Sequence, residues 1–224
     1  MSEQSPLSLG TEDIKKLLMR YAVPAIVAMT AASLYNMMDS IFIGHGVGAL
    51  GIAGLAVTFP FINLAAAFGS LVGVGASTLV SVKMGQKDLK SAEAVLGNVL
   101  LLNTVIGFLF MTVCLIFLDP ILYFFGASAD TLPYARDYMN VILIGNVITH
   151  MYLGLNAVLR SSGFPKLAMY ATLASVVINC VLNPLFIFGF GWGIKGSAWA
   201  TVISQVISLT GQLIHFSRPK ELLH

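Results

Sequence analysis

Six long stretches of the chain contain no Asp, Glu, Lys or Arg, and this feature restricts the fold more than any other. The uncharged runs cover residues 21–38, 40–82, 94–118, 138–159, 167–194 and 196–217. A helix that crosses the hydrocarbon core of a bilayer needs about 20 predominantly apolar residues. The alternating polarity that is typical of membrane β-strands does not occur in these runs. The runs therefore predict membrane-spanning α-helices.

The composition argues against a water-soluble protein. Of the 224 residues, 57% are hydrophobic and 10% are charged, whereas soluble domains have about 25% charged residues. This number of charged residues is too small to cover the surface of a soluble domain. Most of the outer surface is therefore expected to face lipid. The net charge is only +2 and the basic residues are spread over several loops. We therefore expect the lipid bilayer as a partner and no nucleic acid.

The predicted fold is all-α: a polytopic membrane protein built as a bundle of six transmembrane helices. The second uncharged run is counted as one span because residues 44–54 are rich in glycine and predict a turn. The predicted helices cover residues 17–43, 52–82, 93–118, 135–160, 167–188 and 196–216. Residues 1–16 then form an N-terminal cytoplasmic segment, 17–216 the membrane lobe, and 217–224 a cytoplasmic tail or the start of a linker.

Lys and Arg residues are strongly biased toward one side of this predicted topology. All of the chain's basic residues except Arg136 and Lys195 lie in the N-terminal segment, the loops after helices two and four, and the tail. Cytoplasmic loops of membrane proteins have an excess of Lys and Arg. Both termini are therefore predicted to be cytoplasmic, in a multi-pass protein of the plasma membrane, which is the inner membrane in bacteria.

One acidic residue lies inside a predicted span. Asp39 is near the outer end of the first helix, and apolar or glycine positions follow it. A carboxylate within a span costs about 2.5 to 3.5 kcal/mol on insertion scales, so by default it faces a cavity, an ion or a partner. The alternative is a residue at a helix end that touches external water. We favour a functional site.

The fifth predicted helix contains two carboxamides, Asn179 and Asn183, followed by Pro184. Residues four apart share one helical face, and a proline leaves a backbone carbonyl free one turn earlier. Such neutral oxygens suit a small hard cation. Hydrogen bonding between helices with a structural kink is the other interpretation. A second kink is predicted at Pro60 in helix two.

A short internal similarity in the sequence bears on whether Asn179 and Asn183 form a cation site or only join helices. Residues 39–43 resemble residues 183–187, which places Asp39 and Asn183 at equivalent depths near the outer leaflet. The similarity predicts one polar site formed by helices one and five.

Residue patterns that are typical of enzymes are not found. The four histidines are scattered, no Gly-rich phosphate loop occurs, and Cys114 and Cys180 lie in apolar runs without metal-ligand spacing. We expect no enzymatic activity, no organic cofactor and no metal ion beyond a small hard cation at the polar site.

Several motifs resemble those of the multidrug and toxic compound extrusion (MATE) family of cation-coupled antiporters, over essentially the whole chain. These motifs are Pro24, residues 36–39 with Ile43 and Gly44, residues 75–85, residues 159–163 and residues 179–201. The last stretch is the most specific, because it is similar to the family's Asn-x-x-x-Asp-Pro run followed by Gly-x-x-Gly and Ala-Thr.

The resemblance implies twelve helices in two six-helix lobes, of which this chain supplies the first. It implies alternating-access export of hydrophobic or cationic small molecules such as drugs, with a second lobe as partner from a longer chain or another copy. The cation-linked positions carry over to Asp39, Asn179, Asn183 and Thr201. Asn183 stands where many members have a second aspartate, so both a proton and a sodium ion stay open as the coupling ion.

Two alternatives stay open beside a lobe from a longer transporter: a half-transporter subunit and a non-transporting scaffold. The chain is expected to be a fragment of a longer transporter, but a half-transporter subunit that needs a partner lobe also fits six spans. A non-transporting membrane scaffold is the rival from another class, and it predicts that Asp39, Asn179 and Asn183 can become apolar without loss of function.

Overall fold

The computed structural model describes residues 13–217, and all of the regular secondary structure in that range is helical. The predicted all-α fold class is confirmed. The helices are α1 (Ile14–Gly46), α2 (Ala49–Gly85), α3 (Leu89–Ile116), α4 (Leu118–Phe124), α5 (Leu132–Ile144), α6 (Asn146–Ser161), α7 (Pro165–Pro184) with a π-helical turn (Leu185–Gly189), and α8 (Gly193–Phe216). Most of the predicted 1–16 segment and of the 217–224 tail lies outside the described residues.

Six long helical segments correspond to the six predicted runs. Four of them are long and apolar enough to cross a membrane: α1, α2, α3 and α7 with its π turn. The pair α5 and α6 gives a fifth. The remaining segment, α8, has 24 residues and is less apolar than these helices. Several of its polar side chains are buried where α8 packs against α5, α6 and α7.

The fourth predicted helix, residues 135–160, was wrong as one continuous element. It is divided at Gly145 into α5 and α6, which are bent by 58° relative to each other. A Cβ atom at Gly145 would lie 2.4 Å from Val202 Cγ2, so α8 approaches the bend closely. Asn146 follows the bend and donates a hydrogen bond from Nδ2 to the carbonyl oxygen of Gly107, at 3.2 Å. The preceding connection also contains a short helix, α4, that was not predicted.

The two prolines for which kinks were predicted differ in their local structure. Pro60 lies inside α2, which continues on both sides of it. Pro184 is the last residue of α7, and the next five residues form the π turn. Proline has no N–H for the α-helical pattern, and a π turn is one local adjustment of a helix. The kinks themselves stay predictions.

Asp88 is the N-cap residue of α3. Its carboxylate accepts a hydrogen bond from the backbone N–H of Ser91 at 3.2 Å. Hydrogen bonds from the Ser91 side chain and backbone hold the pKa of Asp88 below its usual value.

Two clusters of buried apolar side chains fill the bundle. The Phe61 cluster includes Ile43, Leu55, Phe61, Leu122 and Met139. The Leu159 cluster includes Val80, Leu96, Val99, Leu155, Leu159, Leu209 and Phe216. Many large apolar side chains of α1, α2 and α3 are exposed on the opposite faces, as expected of helices in contact with lipid.

Arg136 and Lys195, the two basic residues assigned to the outer side, both have acidic partners. Arg136 Nε donates to Asp119 Oδ1 at 2.7 Å, and Lys195 Nζ lies 3.2 Å from Asp137 Oδ1. Each pair neutralises its own charge, so neither residue adds net positive charge to this end of the bundle.

Glycine permits a close crossing of α2 and α6. A Cβ atom at Gly73 would lie 2.7 Å from the Cα atom of Gly154, which is a backbone atom and cannot rotate away. Gly75, two residues further along α2, has no atom within 4 Å of the corresponding position. The two glycines therefore allow a matched test of this crossing.

We predict that Gly73→Val lowers the stability of the bundle, because α2 and α6 must separate to admit the side chain. Overpacking of this kind costs about 1–3 kcal/mol. The melting temperature of the purified protein in detergent measures the effect, with Gly75→Val as the control. Equal melting temperatures for the two variants would contradict the crossing described above.

Candidate functional site

The carboxylate of Asp39 is enclosed by polar groups from other helices. The side chain is 4% exposed. Its Oδ1 atom accepts a hydrogen bond from Asn183 Nδ2 at 2.5 Å and another from the Ser197 hydroxyl. Asp39 thus faces the interior of the bundle, and the alternative of a helix-end residue in contact with external water does not fit the structure.

Thr201 connects a second group of side chains. Asn179 Nδ2 donates to Thr201 Oγ1 at 3.3 Å, and the Tyr35 hydroxyl lies 2.7 Å from the same oxygen. Thr201 Oγ1 donates its own hydrogen to the carbonyl oxygen of Ser197 at 3.2 Å. Because a hydroxyl has a single hydrogen, Tyr35 is the donor in its bond to Thr201.

Tyr138 lies between the two groups. Its phenol is buried beside Asp39 and Thr201. The polar network therefore includes side chains from α1, α5, α7 and α8. We call these seven residues the Asp39 network: Tyr35, Asp39, Tyr138, Asn179, Asn183, Ser197 and Thr201.

Helical spacing explains how three of the helices build this network. Tyr35 and Asp39 on α1 are four residues apart, as are Asn179 and Asn183 on α7 and Ser197 and Thr201 on α8. Residues at this spacing lie one above the other on one helical face. Each helix therefore presents two polar groups, one turn apart, to the same interior space.

A glycine brings α8 close to the end of α7. A Cβ atom at Gly196 would lie 2.9 Å from the backbone carbon of Phe186, in the π turn. Only a residue without a side chain fits this approach. Since Ser197 follows directly, the contact at Gly196 determines how near the serine hydroxyl comes to Asp39.

The network offers oxygen ligands of the kind that a small cation prefers. Asp39 supplies a carboxylate, and Asn183 Oδ1 is buried without a hydrogen-bond partner among the described residues. Ser197 and Thr201 supply hydroxyl oxygens. Hard cations bind to carboxylate, carbonyl and hydroxyl oxygens. Across residues 13–217, no group of three or more His, Cys, Asp or Glu side chains could hold a metal ion.

The four residues singled out in the sequence lie together. Asp39, Asn179, Asn183 and Thr201 all belong to the Asp39 network, and Asp39 and Asn183 are hydrogen-bonded to each other. Their role in cation binding stays a prediction. Pro184 follows Asn183 directly, whereas Pro60 lies on α2, which contributes no residue to the network.

Tyr35, Tyr138 and Ser197 were missed by the sequence analysis. Tyr35 lies one turn before Asp39 and Ser197 one turn before Thr201, so spacing along the helix was an available signal for both. No comparable signal marks Tyr138, because its helix reaches the network only through the fold.

Comparison with known proteins identifies the family of the chain. The MatE family model matches residues 24–185. A multidrug export protein, MepA, of Staphylococcus haemolyticus is 29% identical over 223 residues, which are 100% of this chain and 49% of the relative. MepA of Staphylococcus aureus is 28% identical over 208 residues, which are 93% of this chain and 46% of the relative.

Solved structures give the same picture. An outward-facing multidrug resistance MATE family transporter of the MOP superfamily is 28% identical, with a TM-score of 0.90 over 97% of this chain and 48% of that chain. A MOP superfamily transporter from Pyrococcus furiosus has the same TM-score, 0.90, and the same identity, 28%, over 97% of this chain and 48% of its own. The chain thus spans about half the length of the relatives and structures that it matches.

We predict that Thr201→Val lowers the stability of the bundle, although valine has nearly the same shape as threonine. The substitution removes the acceptor of both Asn179 and Tyr35, and each buried donor that loses its partner costs about 1–3 kcal/mol. The melting temperature in detergent is the measurement.

Thr210→Val is the matched control for this prediction. Thr210 lies on the same helix, is exposed, and bonds only to the carbonyl oxygen of Val206. If both variants melted at the same temperature, Thr201 would not have the central place in the network described above.

Proposed function

Because the chain belongs to the MatE family, the multidrug and toxic compound extrusion transporters, we propose that it is one six-helix lobe of a cation-coupled antiporter. The antiporter exports hydrophobic or cationic small molecules, such as drugs, and a second six-helix lobe completes the pathway. The proteins it matches are about twice as long, which supports a need for that second lobe. The observation that carries the proposal is the buried Asp39 carboxylate with donors from two other helices.

The cation-free carboxylate is stabilised by hydrogen atoms of the Asn183 amide and the Ser197 hydroxyl. Both of these hydrogens are directed at Asp39 Oδ1, so a cation or proton that binds at this oxygen competes with them. Rotation of the Asn183 amide would direct its Oδ1 atom, which has no partner, toward the incoming charge. Loading the site therefore replaces the bonds that join α1 to α7 and α8.

This exchange of bonds is the proposed coupling step. A cation from the outside binds at Asp39, the helices α1 and α7 repack, and the substrate leaves toward the outside. Alternating access of this kind requires two arrangements with different affinity for the cation. The coupling ion is a proton or a sodium ion, held by Asp39 with oxygens of Asn179, Asn183 and Thr201.

The chain is a multi-pass membrane protein, and we place it in the plasma membrane, which is the bacterial inner membrane, with both termini in the cytoplasm. This orientation follows from the basic residues of the loops that are assigned to the cytoplasmic side. The Asp39 network then lies in the outer half of the membrane, toward the side from which the cation enters.

We predict that Asp39→Asn abolishes ion-driven efflux while the protein still inserts into the membrane, because the neutral amide removes the charge that balances a cation and cannot exchange a proton. The protein is expressed from its complete reading frame. Transport of ethidium is then followed in everted membrane vesicles with an imposed proton or sodium gradient. Asp137→Asn is the matched control, since Asp137 is exposed and pairs with Lys195.

Two outcomes would count against the proposal. Normal efflux by Asp39→Asn would remove the role of Asp39. Full cellular function without ion-driven transport, together with tolerance of apolar residues at Asp39, Asn179 and Asn183, would favour the scaffold.

A second prediction concerns the coupling ion. Asn183→Asp places another carboxylate beside Asp39 and should strengthen sodium binding by about tenfold or more, since one added charge at about 4 Å contributes up to about 4 kcal/mol at an effective dielectric constant of 20. Isothermal titration of the purified protein with sodium chloride measures the affinity, and choline chloride is the control. Unchanged sodium affinity would show that residue 183 does not contact the ion.

A further inference from the structure

A line of polar residues follows one face of α8 and continues beyond the Asp39 network. Its members are Ser197, Thr201, Ser204, Ser208 and Gln212. At 3.6 residues per turn these positions fall within a sector of about 80°, and at 1.5 Å per residue the line is ~22 Å long. We call it the α8 polar line. It covers about two thirds of a hydrocarbon core of about 30 Å.

The first part of the α8 polar line is hydrogen-bonded. The Ser204 hydroxyl donates to the carbonyl oxygen of Thr201 at 2.8 Å. Ser204 also accepts a hydrogen bond from the Ser175 hydroxyl on α7, at 3.4 Å. Ser197 thus bonds to Asp39, and Thr201 and Ser204 each bond to a backbone carbonyl about one turn earlier on the same face of α8.

The second part of the line is buried but has no protein partner. Ser208 is 5% exposed and Gln212 is 2% exposed. Ser208 Oγ and both amide atoms of Gln212 lack a hydrogen-bond partner among the residues that the structure describes. Burying an amide without such a bond costs about 2–7 kcal/mol. Native proteins avoid this cost by binding ordered water at such groups.

Gln212 is a polar residue with apolar neighbours on its own helix. Leu209 and Phe216, which lie within about one turn of it on α8, both belong to the apolar Leu159 cluster. An apolar residue would therefore pack well at this position. Polar side chains inside membrane bundles usually bond to a neighbouring helix, but Gln212 forms no such bond with any residue between 13 and 217.

We propose that Ser208 and Gln212 bind a chain of ordered water molecules, which extends the polar contacts of Asp39 toward the cytoplasmic end of α8. The coupling cation leaves Asp39 for the cytoplasm along this chain. The water site follows from the structure alone, whereas its use by the cation rests on the function proposed above. Three polar atoms one turn apart supply the partners that a buried water needs.

Radiolytic hydroxyl labelling with mass spectrometry tests for the water, using the full protein in lipid nanodiscs. We expect Leu209 and Phe216 to be labelled although they are buried, because hydroxyl radicals form from water bound nearby. Gln212→Leu has a similar side-chain size and should reduce this labelling by about threefold or more, since it removes two of the three water-binding atoms. Ser208→Ala, which changes the volume little, should reduce it as well. Thr210→Val, on the exposed face, should not.

The stability of Gln212→Leu gives an independent result. If the amide has no water partner, leucine removes a large penalty, so the melting temperature would rise and the labelling would stay unchanged. That result would overturn the proposal. If water is bound, the melting temperature should change little, because the lost amide bonds and the released water offset each other.

Transport separates this inference from the proposed function. Gln212→Leu should slow ion-driven ethidium efflux by about tenfold, which corresponds to ~1.4 kcal/mol, and should leave cation affinity in calorimetry unchanged. Lost labelling with normal efflux would overturn the role in cation release. Failure of the proposed function appears elsewhere, as normal efflux by Asp39→Asn.

Discussion

The bonds that Asn183 and Ser197 donate to the Asp39 carboxylate are the interaction on which the rest of the lobe depends. A carboxylate removed from water is costly, and only groups on other helices are available to compensate it. The ends of α1, α7 and α8 must therefore meet at one place. The glycine at position 196 and the π turn after Pro184 make that meeting geometrically possible. Stability and cation exchange thus use the same few hydrogen bonds.

Much of the fold was predictable because lipid imposes a simple rule on sequence. Charges are excluded from spans, so their positions divide the chain into its helices. The polar pairs were predictable for a similar reason, because a buried Asp39 requires partners and the spacing of Asn179 and Asn183 places both on one face. The helices that face lipid on one side, α1, α2 and α3, gave the clearest signal.

The features that were missed depend on contacts between distant parts of the chain. The bend at Gly145 is set by Val202 of α8, which lies 57 positions later in the numbering. Tyr138 reaches the Asp39 network because of that packing. Ser197 was overlooked because serine is common in membrane helices, and its importance comes only from the proximity of Asp39. No local pattern in the sequence encodes the bend at Gly145 or the place of Tyr138, whereas the position of Ser197 one turn before Thr201 was a local signal.

The ion pair between Asp137 and Lys195 lies immediately beside the Asp39 network in the chain. Asp137 precedes Tyr138, and Lys195 lies two residues before Ser197. Both partners are exposed, so their attraction is weak and dissolved salt screens it over a Debye length of about 8–10 Å. Ionic strength therefore has two effects on this lobe: it sets the supply of cations and it loosens the connection between the N-terminal parts of α5 and α8. An external medium rich in salt would relax the same end of the bundle through which its ions enter.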